Sequence, residues 1–326
     1  MQAPGTASPG RRITTACLAL LAGAITVVCA IPRTAPPVLG PVAVDSVAVP
    51  LNPRDPSATT LGAFHYAGGV QLTSRQTNQL HELSDLVVTD DGKLTAIGDE
   101  GLLLDARLVL DAEGRLAGVT GVVLSRLTGE DGKPLVDNEL VDAEGVAVLP
   151  NGDRLVSFER HSRVWLYPKN GGPPRAAPSP EPTLPSNGSL EALSADPDAG
   201  EDAYVVGAEA SGETWNCRVS APCVTGETVE KPSEFGLVAM ERLPGGRTAY
   251  LLRAYDPVRG SRITLEILQR GLVIARMDLA LPMTVDNFEG VASVPGAGGT
   301  RRFYLLSDDN ARSTQRTLLL AFDWQP

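Results

Sequence analysis

The chain has 326 residues, of which 43% are hydrophobic and 21% charged, enough apolar material for one sizeable core and too much for a disordered chain. Its formal net charge of −11 argues against nucleic acid or anionic lipid as the main partner and suits the binding of cations. Aromatic residues are scarce at 5%, whereas Gly (33) and Pro (26) are plentiful, the balance of an all-β chain with many turns.

At the amino terminus Arg11 and Arg12 precede an uncharged run from Ile13 to Ile31, with a small side chain at Ala30 just before Pro32. That is the layout of a secretory signal cut after Ala30. Residues 1–30 are therefore set apart from the fold, and the protein is expected to be secreted or held at the cell envelope. An uncleaved anchor is the rival reading, because a run of about nineteen apolar residues approaches the length that spans a bilayer. Loss of residues 1–30 removes two arginines and no acid, so the charge goes from −11 to −13. Residues 31–60, with Pro32, Pro36, Pro37, Pro41, Pro50, Pro53 and Pro56, read as an extended linker. Residues 61–326 form the remaining domain.

Within that domain one pattern returns five times. It first runs from Leu83-Ser84-Asp85-Leu86-Val87-Val88 through Asp90-Asp91-Gly92 to Leu94-Thr95-Ala96-Ile97-Gly98-Asp99. The second copy passes from Glu144-Gly145-Val146-Ala147-Val148 through Pro150-Asn151-Gly152 to Leu155-Val156-Ser157-Phe158-Glu159. A third begins at Glu191 and ends at Glu209, a fourth runs from Phe235 to Arg253, and a fifth from Glu289 to Asp308. Each is two short apolar strands joined by residues that supply the positive φ of tight turns, so each predicts a β-hairpin. Starts at 84, 144, 191, 235 and 289 leave room for a four-stranded antiparallel blade per copy. Outer strands are predicted at Ala106–Leu110 and Arg262–Leu268.

The proline-rich stretch from Pro168 to Asn187 reads as a surface loop. Cys217 and Cys223 are the two cysteines outside the signal, and six positions apart in an exported chain they predict a local disulfide. A strand around Phe64 to Leu72 is expected to pair with Thr317 to Trp324 and close the ring. The fold class is thus all-β, a β-propeller of four-stranded antiparallel blades, with six blades favoured and five or seven left open.

Acids recur at fixed places in the repeat. First strands begin at Glu144, Glu191 and Glu289, with Asp142 two residues earlier in the second copy, and second strands end at Asp99, Glu159, Glu209 and Asp308. In a hairpin such positions are cross-strand neighbours at the open end, and in a propeller the open ends surround the axis. Converging carboxylates disfavour full ionisation unless a cation sits among them. Calcium is the natural divalent metal, since it accepts many oxygen ligands in loose geometry. The rival reading is architectural, each acid accepting hydrogen bonds from a neighbouring loop. Arg253, Arg160 and Arg163, with His161, lie near the same rim and suit an anionic ester. No nucleophile elbow, His-Glu-x-x-His motif or phosphate-cradling glycine loop is present, which favours attack by water.

Asp142-x-Glu144-Gly145, Asn187-Gly-Ser-Leu-Glu191, Asp286-Asn287-Phe288-Glu289-Gly290 and Ser307-Asp308-Asp309-Asn310 resemble the phytase-like propeller domain called esterase-like activity of phytase. The resemblance spans roughly residues 60 to 325. It implies a propeller related to calcium-dependent phosphomonoester hydrolases, with Glu144, Glu159, Glu191, Glu289, Asp308 and Asp309 in the site. The family's Leu-Glu-Arg stands here as Leu251-Leu252-Arg253, without the acid. Taken together, Glu144, Glu159 and Glu289 are expected to be catalytic. Asp99, Asp142, Glu191, Glu209, Asp308 and Asp309 are expected to hold metal. The function expected is an exported, monomeric, metal-dependent hydrolase of a small anionic ester. A non-catalytic envelope propeller binding a ligand, glycan or protein is the alternative.

Overall fold

A computed structural model describes Met1 and residues 38–136, 140–181 and 184–326. The expected signal, Met1 apart, and the first part of the linker lie outside the described residues. Repeated hairpins build three separate four-stranded antiparallel sheets and one larger sheet, in which two four-stranded antiparallel sets, called sheets I and V below, meet through a parallel pairing of Gly68 with Leu116. Sheet I comprises Leu83–Val88, Lys93–Gly98, Leu102–Leu110 and Leu116–Arg126. Sheet II comprises Ala143–Val148, Arg154–Phe158, Arg163–Tyr167 and Arg175–Ala177. Sheet III holds Leu190–Ala195, Ala203–Ala208, Glu213–Arg218 and Ala221–Thr228. Sheet IV holds Gly236–Leu243, Arg247–Asp256, Gly260–Gln269 and Leu272–Leu279. In sheet V, Asn287–Pro295, Arg301–Asp308 and Leu318–Trp324 are joined by the amino-terminal strand Phe64–Thr73.

That last pairing, with Leu319 opposite Val70 and Phe322 opposite Tyr66, is the closure expected from the sequence. Its effect differs. The carboxy-terminal part of the chain supplies only three strands to sheet V, so the amino-terminal strand makes the fourth and adds no further blade. First strands of consecutive sheets lie against one another, and that of sheet I lies against that of sheet V. Among the described residues the first strands of these sets thus follow one another in a circuit. Residues Gly40–Pro41 and Asp45–Ala48, expected in the linker, instead pair as short strands with 123–124 and 70–73, which satisfies backbone groups at those edges.

First strands are buried on both faces, as in Leu83–Val88 and Ala143–Val148, because each is sandwiched between its neighbours. Leu83 and Leu86 of sheet I pack in one cluster with Ala292 and Tyr304 of sheet V. Gly92 and Gly152 turn their hairpins at φ 79° and 90°, where a side chain would be strained. Within the Pro168 to Asn187 loop, Arg175–Ala177 adds a short strand beside Val164–Leu166. Cys217 and Cys223 are disulfide-bonded and brace the outer hairpin of sheet III. Among the described residues no helix is long and apolar enough to cross a membrane.

Candidate functional site

In every sheet the first strand carries one unpaired residue near its open end. The register steps from Leu83↔Gly98 to Asp85↔Ile97 in sheet I, and from Ala143↔Phe158 to Gly145↔Ser157 in sheet II. Equivalent steps skip Glu191, Val238 and Glu289 in sheets III, IV and V. The five bulged residues are therefore Ser84, Glu144, Glu191, Val238 and Glu289. A bulge bends its strand and re-aims one side chain. Two residues before it stand Glu82, Asp142, Ser189, Gly236 and Asn287. Opposite these, at the ends of the second strands, stand Asp99, Glu159, Glu209, Arg253 and Asp308. The pairing is direct: the amides of Asp99, Glu159 and Glu209 donate to the carbonyls of Glu82, Asp142 and Ser189 at 3.1, 2.8 and 2.8 Å.

These positions converge across sheets. Glu144 of sheet II feels Asp99 of sheet I and Glu191 of sheet III, while Asp99 feels Asp308 of sheet V and Asp142 of sheet II. Burial, and then these like charges, push Asp99 up to about 8 and hold Glu144 well above the usual carboxylate range. Glu191 is raised well above its ordinary value by burial and then by Glu209, and Asp308 is pushed up to about 7, chiefly by burial. Nine carboxylates line this face: Glu82, Asp99, Asp142, Glu144, Glu159, Glu191, Glu209, Glu289 and Asp308. Arg253 is the arginine in the ring.

Arg253 divides the ring. Its Nη2 meets Glu209 Oε1 at 3.1 Å, its Nη1 donates to Asn287 Oδ1 at 2.9 Å, and Nη1 also pairs with Glu289. Asn287 Nδ2 in turn donates to Glu289 Oε1 at 2.9 Å and to Asp308 Oδ2 at 3.1 Å. Sheets III to V thus hold a compensated arc. On the opposite side, Asp99, Asp142 and Glu144 each offer a carboxylate oxygen, all within 4.8 Å of one another. Ser84 Oγ donates to Asp99 Oδ1 at 2.5 Å, and Arg160 Nε meets Asp142 Oδ2 at 2.7 Å. Hard oxygens at this spacing, desolvated and mutually repelling, fit a divalent cation of the calcium or magnesium type. His81, Glu82 and Glu100 make a second group with ligand atoms equally close.

Other expected residues are occupied structurally. Glu159 Oε1 accepts the amides of Gly188 and of Ser189, the latter at 3.2 Å, tying sheet II to the loop before sheet III. Asp309 Oδ1 accepts the amides of Glu82 at 3.2 Å and Ala311 at 3.0 Å, and its Oδ2 takes the Thr317 hydroxyl at 3.3 Å. Arg163 lies 3.9 Å over Phe158 and 4.6 Å over Trp165 and donates to the carbonyl of His161 at 2.9 Å. His161 is exposed. Sequence reasoning missed Glu82, Ser84 and Asn287. Their signal was the x-spaced pair Asp142-x-Glu144, which returns as Glu82-x-Ser84 and Asn287-x-Glu289. It also framed the fourth copy from Phe235, three residues before the bulge at Val238, since sheet IV has no acid to mark the place.

A family model described as phytase-like, esterase-like activity of phytase, matches residues 78–311. No curated protein matches the chain. Among solved structures, virginiamycin B lyase from Staphylococcus aureus is 10% identical, covering 86% of this chain and 99% of that one at a TM-score of 0.44. The calcium-binding protein regucalcin from Agrobacterium tumefaciens is 13% identical, covering 90% and 97%, also at 0.44.

Proposed function

Because the chain belongs to the phytase-like family described as esterase-like activity of phytase, we propose that it is an exported, metal-dependent hydrolase of a small phosphoester or related ester, with water as the nucleophile. The observation that carries this reading is the trio Asp99, Asp142 and Glu144, whose oxygens lie within 4.8 Å of one another on two different sheets. Asp99, Asp142 and Glu144 would hold a divalent cation, calcium foremost, which would supply positive charge beside the ester's oxygens and make water more acidic.

The chain's own groups divide the remaining work. With positive charge held beside it, Glu144 would be ionised despite its burial and would accept the proton of the attacking water as the new bond to phosphorus forms and the bond to the alcohol oxygen breaks. Glu191, raised well above its ordinary value by burial and by Glu209, gives a proton to that departing oxygen. Glu159, fixed by two loop amides, and Glu289, fixed by Arg253 and Asn287, keep the surrounding field in place. Arg253 faces the anionic group.

A non-catalytic propeller that binds a ligand on this face is the second reading. It is favoured by Val238, which stands where sheets II, III and V carry glutamates, and by Arg253, which stands where the other four sheets carry acids. One assay separates the two: turnover of p-nitrophenyl phosphate, phytate and p-nitrophenyl acetate, with calcium and with chelator, by the wild type and by a Glu144→Gln, Glu289→Gln variant. Calcium-dependent turnover lost in the variant is expected. Turnover of none of the three, or turnover indifferent to both chelator and variant, removes the hydrolase reading.

A further inference from the structure

Sheet IV departs from its fellows in a second way. Second strands of sheets I, II, III and V end at Gly98, Phe158, Ala208 and Asp308, at or just before the ring. The second strand of sheet IV continues past Arg253, pairing Ala254 with Arg262, Tyr255 with Ser261 and Asp256 with Gly260. This extra length raises a wall above the ring face.

Against that wall, between sheets IV and V, lies a cavity of about 720 Å³ that meets the ring at Glu209, Arg253 and Asn287. Arg312, Arg316, Tyr255 and Leu281 also line it. Most of its charges are internally matched: Arg253 with Glu209 at 3.1 Å, Arg316 with Asp286 at 3.1 Å, and Glu234 with Arg262 at 3.5 Å. Arg312 has no carboxylate partner among the described residues, so one guanidinium remains for a ligand. Tyr255 and Leu281 are 71% and 67% exposed. Singly such residues mean little, but two large apolar side chains on one cavity, beside an unmatched arginine, suit a ligand with an anionic head and an apolar body.

We propose that this cavity is the substrate cleft and that it takes an ester joining one anionic head group to an aromatic or alkyl body, in preference to a uniformly polar ester. The inference rests on the hydrolase reading only in taking the bound ester for a substrate. Arg312 holds the head group, and Tyr255 and Leu281 cover the body.

Titration calorimetry with phenylphosphonate and methylphosphonate, in calcium-containing buffer, tests it without requiring turnover. The two probes share a head group and differ in the apolar body. Phenylphosphonate is expected to bind about tenfold more tightly, a difference of about 1.4 kcal/mol. A Tyr255→Ala, Leu281→Ala variant is expected to lose that preference while binding methylphosphonate as before, Tyr255→Phe to keep it, and Arg312→Gln to weaken both probes alike. Equal affinities in the wild type, or a preference that survives the double variant, overturn the cleft. Absence of hydrolysis in the assay above leaves the cleft standing and removes only the hydrolase reading, so the two failures are distinguishable.

Discussion

Glu241, on the first strand of sheet IV beyond the bulge, carries a titration unrelated to the acid ring. Its Oε1 accepts the Ser293 hydroxyl at 3.0 Å, and Ser293 Oγ in turn accepts from Arg301 Nε at 2.9 Å. Burial outweighs both and pushes Glu241 up to about 7 from an ordinary 4.5. Between those values the unfolded glutamate has ionised while the folded one keeps its proton. Stability is therefore lost as the pH rises through that window, and below it the group costs nothing. Glutamine removes the ionisation and keeps an oxygen for Ser293. Glu241→Gln is expected to match the wild type in urea midpoint near pH 4 and to exceed it at pH 8, by up to about 3 kcal/mol. An offset independent of pH would show that Glu241 is not the titrating group.

The bulge is the device that operates at the scale of elements, and it has a packing requirement. Gly145 follows the bulged Glu144, and a Cβ there would sit 2.5 Å from the carbonyl oxygen of Glu191 and 2.6 Å from Ser157 Oγ. Backbone on the neighbouring strand cannot yield as a flexible side chain can, so Gly145→Ala forces sheets II and III apart. It is expected to cost about 1–3 kcal/mol and to weaken calcium binding by shifting Glu144. Gly114→Ala is the control: its turn is open, with φ 75°, so it costs about 1 kcal/mol and leaves calcium affinity alone. Equal calcium affinities in the two variants would dissociate the bulge from the site.

The same elements show what the sequence makes legible. Hairpins such as Leu83 to Asp99 could be read because apolar runs flanking Asp-Asp-Gly are a local signal. Bulges could not, since register is a property of two strands and only Leu83↔Gly98 beside Asp85↔Ile97 reveals it. For the same reason Asp308 and Asp309 looked alike in sequence, yet Asp308 joins the ring through Asn287 while Asp309 accepts the amides of Glu82 and Ala311. Arg163 read as a substrate arginine because the rings beneath it, Phe158 and Trp165, come together only across two paired strands.

At the scale of the whole molecule, closure and the acid ring depend on each other. Convergence of nine carboxylates from four sheets opposes the closed circuit, while burial along the final pairing favours it. Phe64 and Phe322 are fully buried, and Phe64 packs edge-on against Phe303 at 5.9 Å. A cation bound only by the closed form stabilises the entire circuit, by about 2.7 kcal/mol at one hundred times its dissociation constant. Calcium is therefore expected to raise the thermal midpoint in a single cooperative transition, and Glu144→Gln to abolish that increment. Phe64→Ala is expected to lower the midpoint through a loss of about 3–5 kcal/mol while leaving the calcium increment in place, because it weakens closure without touching a ligand. Calorimetry of the three proteins with calcium and with chelator reads both terms. A calcium increment that survives in Glu144→Gln would place the cation elsewhere on the protein, and one that vanishes in Phe64→Ala would mean that the ring does not assemble once closure is weakened.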